Sequence, residues 1–177
     1  MTDLTPVTFT ATDLDALAGH EGRVAVIVTP EGKLEQSARR VNRLTKGAIQ
    51  RFVDSAAFEK VKAGQVTTFD WPVGLAAESL DVICLARNHS VEDARKAGAA
   101  LGKLRGGKAA LLAADGARRV AEIVFGLVMR DYDFSAHKTD AEVKDTGVLV
   151  MCSKPEDTEA AAGPLMAIAD GTFMTRD

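Results

Sequence analysis

Two kinds of apolar run alternate along the chain. Continuous apolar stretches at Val24-Ala25-Val26-Ile27-Val28, Val82-Ile83-Cys84-Leu85-Ala86, residues 109–114 and residues 148–152 predict strands with both faces buried, as in a sheet covered by helices on both sides. Between them the spacing shifts to three and four, the repeat of a helix with one buried face. Leu34, Ala38, Val41, Leu44, Ile49, Phe52 and Val53 predict one long helix over residues 34–53. Val91, Ala94, Ala97, Leu101 and Leu104 predict a second, and Val120, Ile123, Val124, Leu127 and Val128 a third. Residues 155–174, alanine-rich with Leu165, Ile168 and Ala169 on one side, predict a last helix that Pro164 kinks or divides.

Start and stop signals sharpen these spans. Ser90, with Asp93 three residues on, is spaced to cap the second helix, and Arg105-Gly106-Gly107 to end it. Asp115 stands where an N-cap for the third helix belongs, and Gly116 gives the backbone room there. Gly126 lies within the apolar face of that helix, where it costs about 1 kcal/mol against alanine unless another element packs close. Beyond it, Tyr132-Asp133-Phe134 alternates so that both rings cover the core if the exit is extended. Residues 7–10 predict a short strand, with Thr12 capping a brief turn through Leu14 and Leu17. Residues 65–70 predict an edge strand followed by a Trp71-Pro72-Val73-Gly74 loop, and residues 139–146 a mobile surface loop. Strand alternating with helix implies a single domain over residues 1–177. Its expected class is α/β, a three-layer α/β/α fold with a mixed, largely parallel sheet and an antiparallel edge.

Composition narrows the function more than it names one. With 46% hydrophobic and 27% charged residues and a net charge of −3, the chain reads as globular and argues against a general polyanion binder. It has no apolar run long enough to span a bilayer and no signal-peptide pattern, so a cytoplasmic protein with no membrane partner is expected. Cys84 and Cys152, each inside an apolar run, are expected as free buried thiols. His20, His89 and His137 lie on separate segments with no partner at ligand spacing, and read as solvated loop histidines. Ser135 and His137 near Asp133 lack a nucleophile elbow. The carboxylates of Asp131 and Asp133 read as solvated on an exposed exit loop. Residues 104–108 and 29–33 lack Walker spacing and read as turns. Arg39, Arg40, Arg43, Lys46 and Arg51 form a basic stripe flanked by Glu35, Asp54 and Glu59 without interleaved aromatics, which favours a solvated face or subunit contact over nucleic acid. No catalytic, cofactor-binding or metal-binding residue is therefore assigned.

At residues 126–138 the chain resembles the N-terminal domain of the leucyl (cytosol) aminopeptidase family, whose core helix ends in a glycine, an apolar turn, a Tyr-x-Phe pair and an aromatic-Lys step. Gly126, Tyr132, Phe134 and Lys138 match, while His137 replaces the usual second tyrosine. The tail Gly171-Thr172-Phe173-Met174-Thr175-Arg176-Asp177 is similar to the approach to that family's Arg-Asp-Leu-x-Asn-x-Pro junction. The resemblance implies a macro-domain-like fold, with residues from about 155 to 177 starting the interdomain helix. It further implies a C-terminal catalytic domain in the same chain, holding two divalent metals (Zn or Mn), and a homo-oligomer, a hexamer in the parent. The family's metal ligands and catalytic Lys and Arg fall beyond residue 177, so this piece is expected to be catalytically silent and to serve oligomer contacts and active-site access. Two alternatives stand beside it. One is a stand-alone module for ADP-ribose or a nucleotide, whose helix-opening loops, residues 30–33 and 87–90, lack a glycine-rich cradle although Arg87 can attract an anion. The other is a nucleic-acid accessory domain built on the arginine stripe.

Overall fold

The computed structural model describes residues 4–135 and 147–176. Strands β1 (Val7–Thr10), β2 (Arg23–Val28), β3 (Val66–Asp70), β4 (Ser79–Cys84), β5 (Ala110–Asp115) and β6 (Val148–Cys152) form one sheet in the order β1-β6-β5-β2-β4-β3. All neighbours are parallel except β3, which runs antiparallel to β4 at one edge. The central strands β2, β4 and β5 are buried at every position, and apart from Arg23, Ser79, Asp81 and Asp115 their residues are apolar on both faces. Helices α1 (Ala16–Gly19), α2 (Gln36–Leu44) and α3 (Ala48–Val53) enclose one core with Val24, Val26, Leu80 and Leu111. Helices α4 (Val91–Arg105), α5 (Val120–Ser135) and α6 (Pro155–Arg176) enclose the other with Ala25, Ile83, Leu112 and Val150. The expected three-layer, mixed and largely parallel α/β/α architecture is the one observed.

Several local expectations are corrected. The long helix over residues 34–53 is two helices, because Lys46 and Gly47 take positive φ values of 55° and 83° that no α-helix contains. Ile49 and Phe52 still reach the same core, so the apolar period survives the break. The brief first helix starts at Ala16 without a side-chain cap, so Thr12 does not open it. Residues 132–134 continue α5 to Ser135, since the helix keeps its hydrogen bonding one turn past Met129, and are not extended. The fit of the Tyr132 and Phe134 rings lies outside the described residues, as do Lys138, Asp177 and the loop over residues 139–146. Pro164 does not divide α6, which is one element of 22 residues with the proline at an exposed position. Ser90 caps α4 as expected, its hydroxyl accepting from the Asp93 amide at 3.1 Å, and Gly106 closes that helix at φ 53°.

Helices α4 and α5 approach backbone to backbone. A Cβ at Gly98 would collide with the Ile123 carbonyl, one at Gly102 with the Leu127 carbonyl, and one at Gly126 with the Arg95 carbonyl. On the rim of the contact, Arg95 pairs with Glu122 at 2.7 Å and stacks over the Phe125 ring at 4.8 Å. At its far end Arg105 and Asp131 form a two-point ion pair at 3.0 and 2.6 Å; both side chains are buried, and Thr5 donates to the same carboxylate. Asp131 is thus a structural ion-pair partner rather than a solvated loop residue. The second buried pair, Arg23 with Asp81 at 2.9 and 2.8 Å, ties β2 to β4, and Thr68 of β3 adds a bond at 2.7 Å.

Gly126→Leu forces the two backbones apart, and the expected loss is about 1–3 kcal/mol despite the better helix propensity of leucine. Urea unfolding checks this; an unchanged or raised midpoint would show that the site is open.

Candidate functional site

Helix α2 leaves β2 toward one face of the sheet, whereas α5 leaves the adjacent β5 toward the other. Such a divergence opens a crevice beyond the carboxyl ends of the two strands, the place where open α/β sheets hold ligands. Here it is a cleft of about 300 Å³, walled by Ile27 and Thr29 at the end of β2, Leu85, Ala86, Arg87 and His89 after β4, and Ala113 to Arg118 at the end of β5 and beyond. That volume lies at the small end of ligand pockets.

The turn out of β5 shapes this cleft. Asp115 takes φ 45° and Arg119 φ 56°, left-handed conformations that Asp tolerates better than most residues and that concentrate near functional loops. The Asp115 carboxylate does not cap α5. It accepts from the Ser37 amide at 2.8 Å and from the Ser37 hydroxyl, supplying from another strand the cap that Glu35 does not give to α2. The reason is geometric: the left-handed turn carries the carboxylate across the crevice, and α5 begins only at Val120. Gly116 meets nothing within 4 Å of a built Cβ, so no steric demand for glycine exists there.

His89, expected as a solvated loop residue, is 5% exposed. Burial follows from its position one residue before the cap of α4, where the loop folds back and Arg119 Nε donates to the His89 carbonyl at 3.1 Å. Its Nδ1 lies 2.7 Å from the Ala86 carbonyl, which can only accept, so the ring carries its proton on Nδ1. Nε2 is buried and has no hydrogen-bond partner among the described residues. Arg87, at the rim, is tied to Glu35 at 3.0 Å.

The other sequence candidates do not converge on this cleft. Residues 104–108 are the end of α4 and the turn after it, with Gly106 and Gly107 at positive φ. In residues 29–33 the Lys33 amide is held by the Thr29 hydroxyl at 3.0 Å. The Glu31 carboxyl there lies below its usual range, first through its own backbone amide and then through the Thr29 hydroxyl, so the turn keeps a negative charge. Burial, and secondarily Glu31, pushes the Cys84 thiol up; both cysteines are free and buried. The basic stripe is split between α2 and α3, with Arg40 3.9 Å from Asp15 and Arg51 donating to the Lys46 carbonyl. The Asp133, Ser135 and His137 group lies outside the described residues or their side chains. Among the described residues no three His, Cys, Asp or Glu side chains are placed to hold a metal, and no helix is long and apolar enough to cross a membrane. Sequence reasoning missed the linkage of Asp115 to Ser37 and the burial of His89; the available signal was that both sit at carboxyl ends of apolar runs, where crevices form.

A sheet of this order with a crevice at its switch point defines an α/β, macro-domain-like fold. The Trypanosoma brucei macrodomain in complex with ADP superimposes with a TM-score of 0.59 at 12% identity, covering 91% of this chain and 69% of that one. The macrodomain of Thermus aquaticus DarG gives 0.54 at 13%, covering 82% and 97%. At such identity the likeness concerns the fold alone. In sequence, a probable cytosol aminopeptidase of Dinoroseobacter shibae is 45% identical over 177 residues, and one of Cereibacter sphaeroides 40%. Each alignment takes in all of this chain and 36% of the relative. No family model matches the chain. The chain is therefore related along its whole length to the cytosol aminopeptidases, consistent with an N-terminal domain of that family, and spans about a third of the length of the relatives it matches.

Two measurements test this site. Asp115→Ala, which removes the cap and puts alanine into a left-handed turn, is expected to lose about 1–2 kcal/mol in urea unfolding, and Asp115→Asn to keep most of it. For ADP-ribose we expect a dissociation constant weaker than about 1 mM, or under about 4 kcal/mol of binding. The cleft offers a pyrophosphate no glycine cradle, and the carboxylates of Glu35 and Asp115 stand at its wall. Saturable micromolar binding by calorimetry would contradict this.

Proposed function

We propose that this chain is the non-catalytic N-terminal domain of a cytosolic, leucyl aminopeptidase-like two-metal peptidase. In that setting it contributes contacts within a homo-oligomer, a hexamer by family resemblance, and shapes access to an active site held by a C-terminal domain of the same polypeptide. Two divalent metals, Zn or Mn, belong to that other domain. The observation that carries the reading is the end-to-end match to relatives named as probable cytosol aminopeptidases, of which it accounts for 36%. One feature that supports a supporting role is that Arg23 with Asp81 and Arg105 with Asp131 are held in buried pairs that join secondary-structure elements, and buried Asp115 is bonded to Ser37. The alternative of a ligand module draws on the crevice at the switch point, and the ADP-ribose titration separates the two.

The 177-residue chain is expected to release no amino acid from leucyl peptides with added manganese or zinc, since paired-metal hydrolysis needs two ions about 3.5–4 Å apart in a ligand cluster. Turnover that follows the purified chain through successive chromatographic steps, clear of contaminating peptidase, would overturn this. A longer polypeptide that includes this chain and cleaves the same substrates would support the domain reading.

A further inference from the structure

The cleft at the carboxyl ends of β2, β4 and β5 holds groups that the fold leaves unmatched. Three carboxylates are buried among the described residues, and two of them, Asp81 and Asp131, are each paired with an arginine. The third is Asp115, 8% exposed, which lines the cleft and has only the amide and hydroxyl of Ser37 as carboxylate partners among those residues. A buried charge is normally paired with an opposite one, and each carboxylate oxygen keeps an acceptor position open after one hydrogen bond. His89 lines the same cleft and is also more than nine-tenths buried. With the ring proton on Nδ1, its Nε2 can only accept, and no donor among the described residues reaches it. Both buried groups lack the same thing, a polar or positively charged N–H donor.

The opposite deficit begins one residue further along the same wall. The amides of Gly116 and Arg118 have no acceptor among the described residues, and the Arg118 guanidinium has neither an ion-pair nor a hydrogen-bond partner among them. Arg87, the other arginine at the cleft, is already tied to Glu35 at 3.0 Å. Much of the remaining lining is apolar, through Ile27, Leu85, Ala113 and Ala114. We propose that this cleft binds a free α-amino acid with an apolar side chain of about leucine's size. Its ammonium faces Asp115 and Nε2 of His89, its carboxylate faces Arg118 and the amides of Gly116 and Arg118, and its side chain meets Ile27 and Leu85. An anion alone leaves Asp115 unmatched, and a cation alone leaves Arg118 unmatched. Because Asp115 and Gly116 are consecutive, the two anchors lie close together, as the charges do on an α-amino acid and not at the two ends of a peptide. A cleft of about 300 Å³ suits one small molecule of this kind. The inference rests on the cleft alone and stands whether or not the chain is one domain of a peptidase.

Calorimetry on the 177-residue chain tests this with L-leucine as the probe, beside leucinamide, which lacks the carboxylate, 4-methylpentanoate, which lacks the ammonium, and glycine, which lacks the side chain. Leucine is expected to bind saturably with a dissociation constant below about 1 mM. Each of the other three should bind at least about tenfold more weakly, the effect of losing one charge-assisted hydrogen bond or the apolar contact. Arg118→Ala, at an exposed position, should weaken leucine at least about tenfold and remove its advantage over leucinamide. Asp115→Asn, which keeps an acceptor for Ser37, should remove the advantage of leucine over 4-methylpentanoate. Should Asp115→Asn fail to fold, Arg118→Ala and the ligand series decide the matter by themselves. Absence of saturable heat up to about 10 mM leucine overturns the proposal. Binding that glycine or 4-methylpentanoate matches, or that every folded variant leaves unchanged, overturns it as well. Micromolar binding of ADP-ribose assigns the cleft to a nucleotide and has the same consequence. Peptidase activity is read in a separate assay on a longer polypeptide, so failure of the amino-acid site and failure of the domain reading are told apart.

Discussion

The contact between α4 and α5 is the constraint on which the helical layer over one face of the sheet depends. Three glycines, Gly98 and Gly102 on one helix and Gly126 on the other, let the two backbones meet with no side chain between them. Such an approach brings Ala94, Ala97 and Leu101 together with Ile123, Val124 and Leu127 over the sheet, in a core with the close packing of protein interiors. It fixes the height of α4 and α5 together, and so where each begins. The loops that lead into those helices, through His89 and through Arg118, form two walls of the crevice at the carboxyl edge. Helix packing therefore positions the cleft as much as the strands do.

Charge is used mostly to join elements. Arg105 and Asp131 clasp the ends of α4 and α5 and draw in the amino-terminal arm through Thr5, while Arg23 and Asp81 clasp neighbouring strands and draw in the edge strand through Thr68. A buried ion pair of this kind adds little net stability compared with a well-packed apolar pair, but removing one partner leaves an uncompensated charge that costs about 3–5 kcal/mol. What the pairs contribute is registry: each can form only if the elements that carry it are correctly docked. Asp115 works similarly across the crevice, tying the exit of β5 to the first turn of α2.

A macro-domain-like fold does not itself specify a macrodomain's ligand. The crevice of this chain has a left-handed turn, a buried imidazole nitrogen with no hydrogen-bond partner among the described residues, and two carboxylates. The family relation rests on sequence instead.

The sequence by itself determined the layers and the order of elements. Val24 to Val28 and residues 109–114 are apolar at every position, as strands buried on both faces must be, and Ser90 with Asp93 marked the start of α4 because a cap is a local hydrogen bond within four residues. The family was likewise legible, since the glycine and aromatic spacing near the end of α5 and the tail at residues 171–177 are local patterns. What only the tertiary structure decided are the pairings between distant residues. Asp115 looked like the cap of the helix that follows it, and caps one 78 residues earlier instead; Asp131 looked solvated and is buried against Arg105. His89 looked exposed and is packed beneath Arg119. The break at Lys46 and Gly47 also escaped the pattern, because Ile49 and Phe52 return to the same core and leave the apolar period unbroken. In each case the deciding term is a hydrogen bond, an ion pair or a packing contact made across the fold, and a local period carries no information about which distant group will be there to complete it.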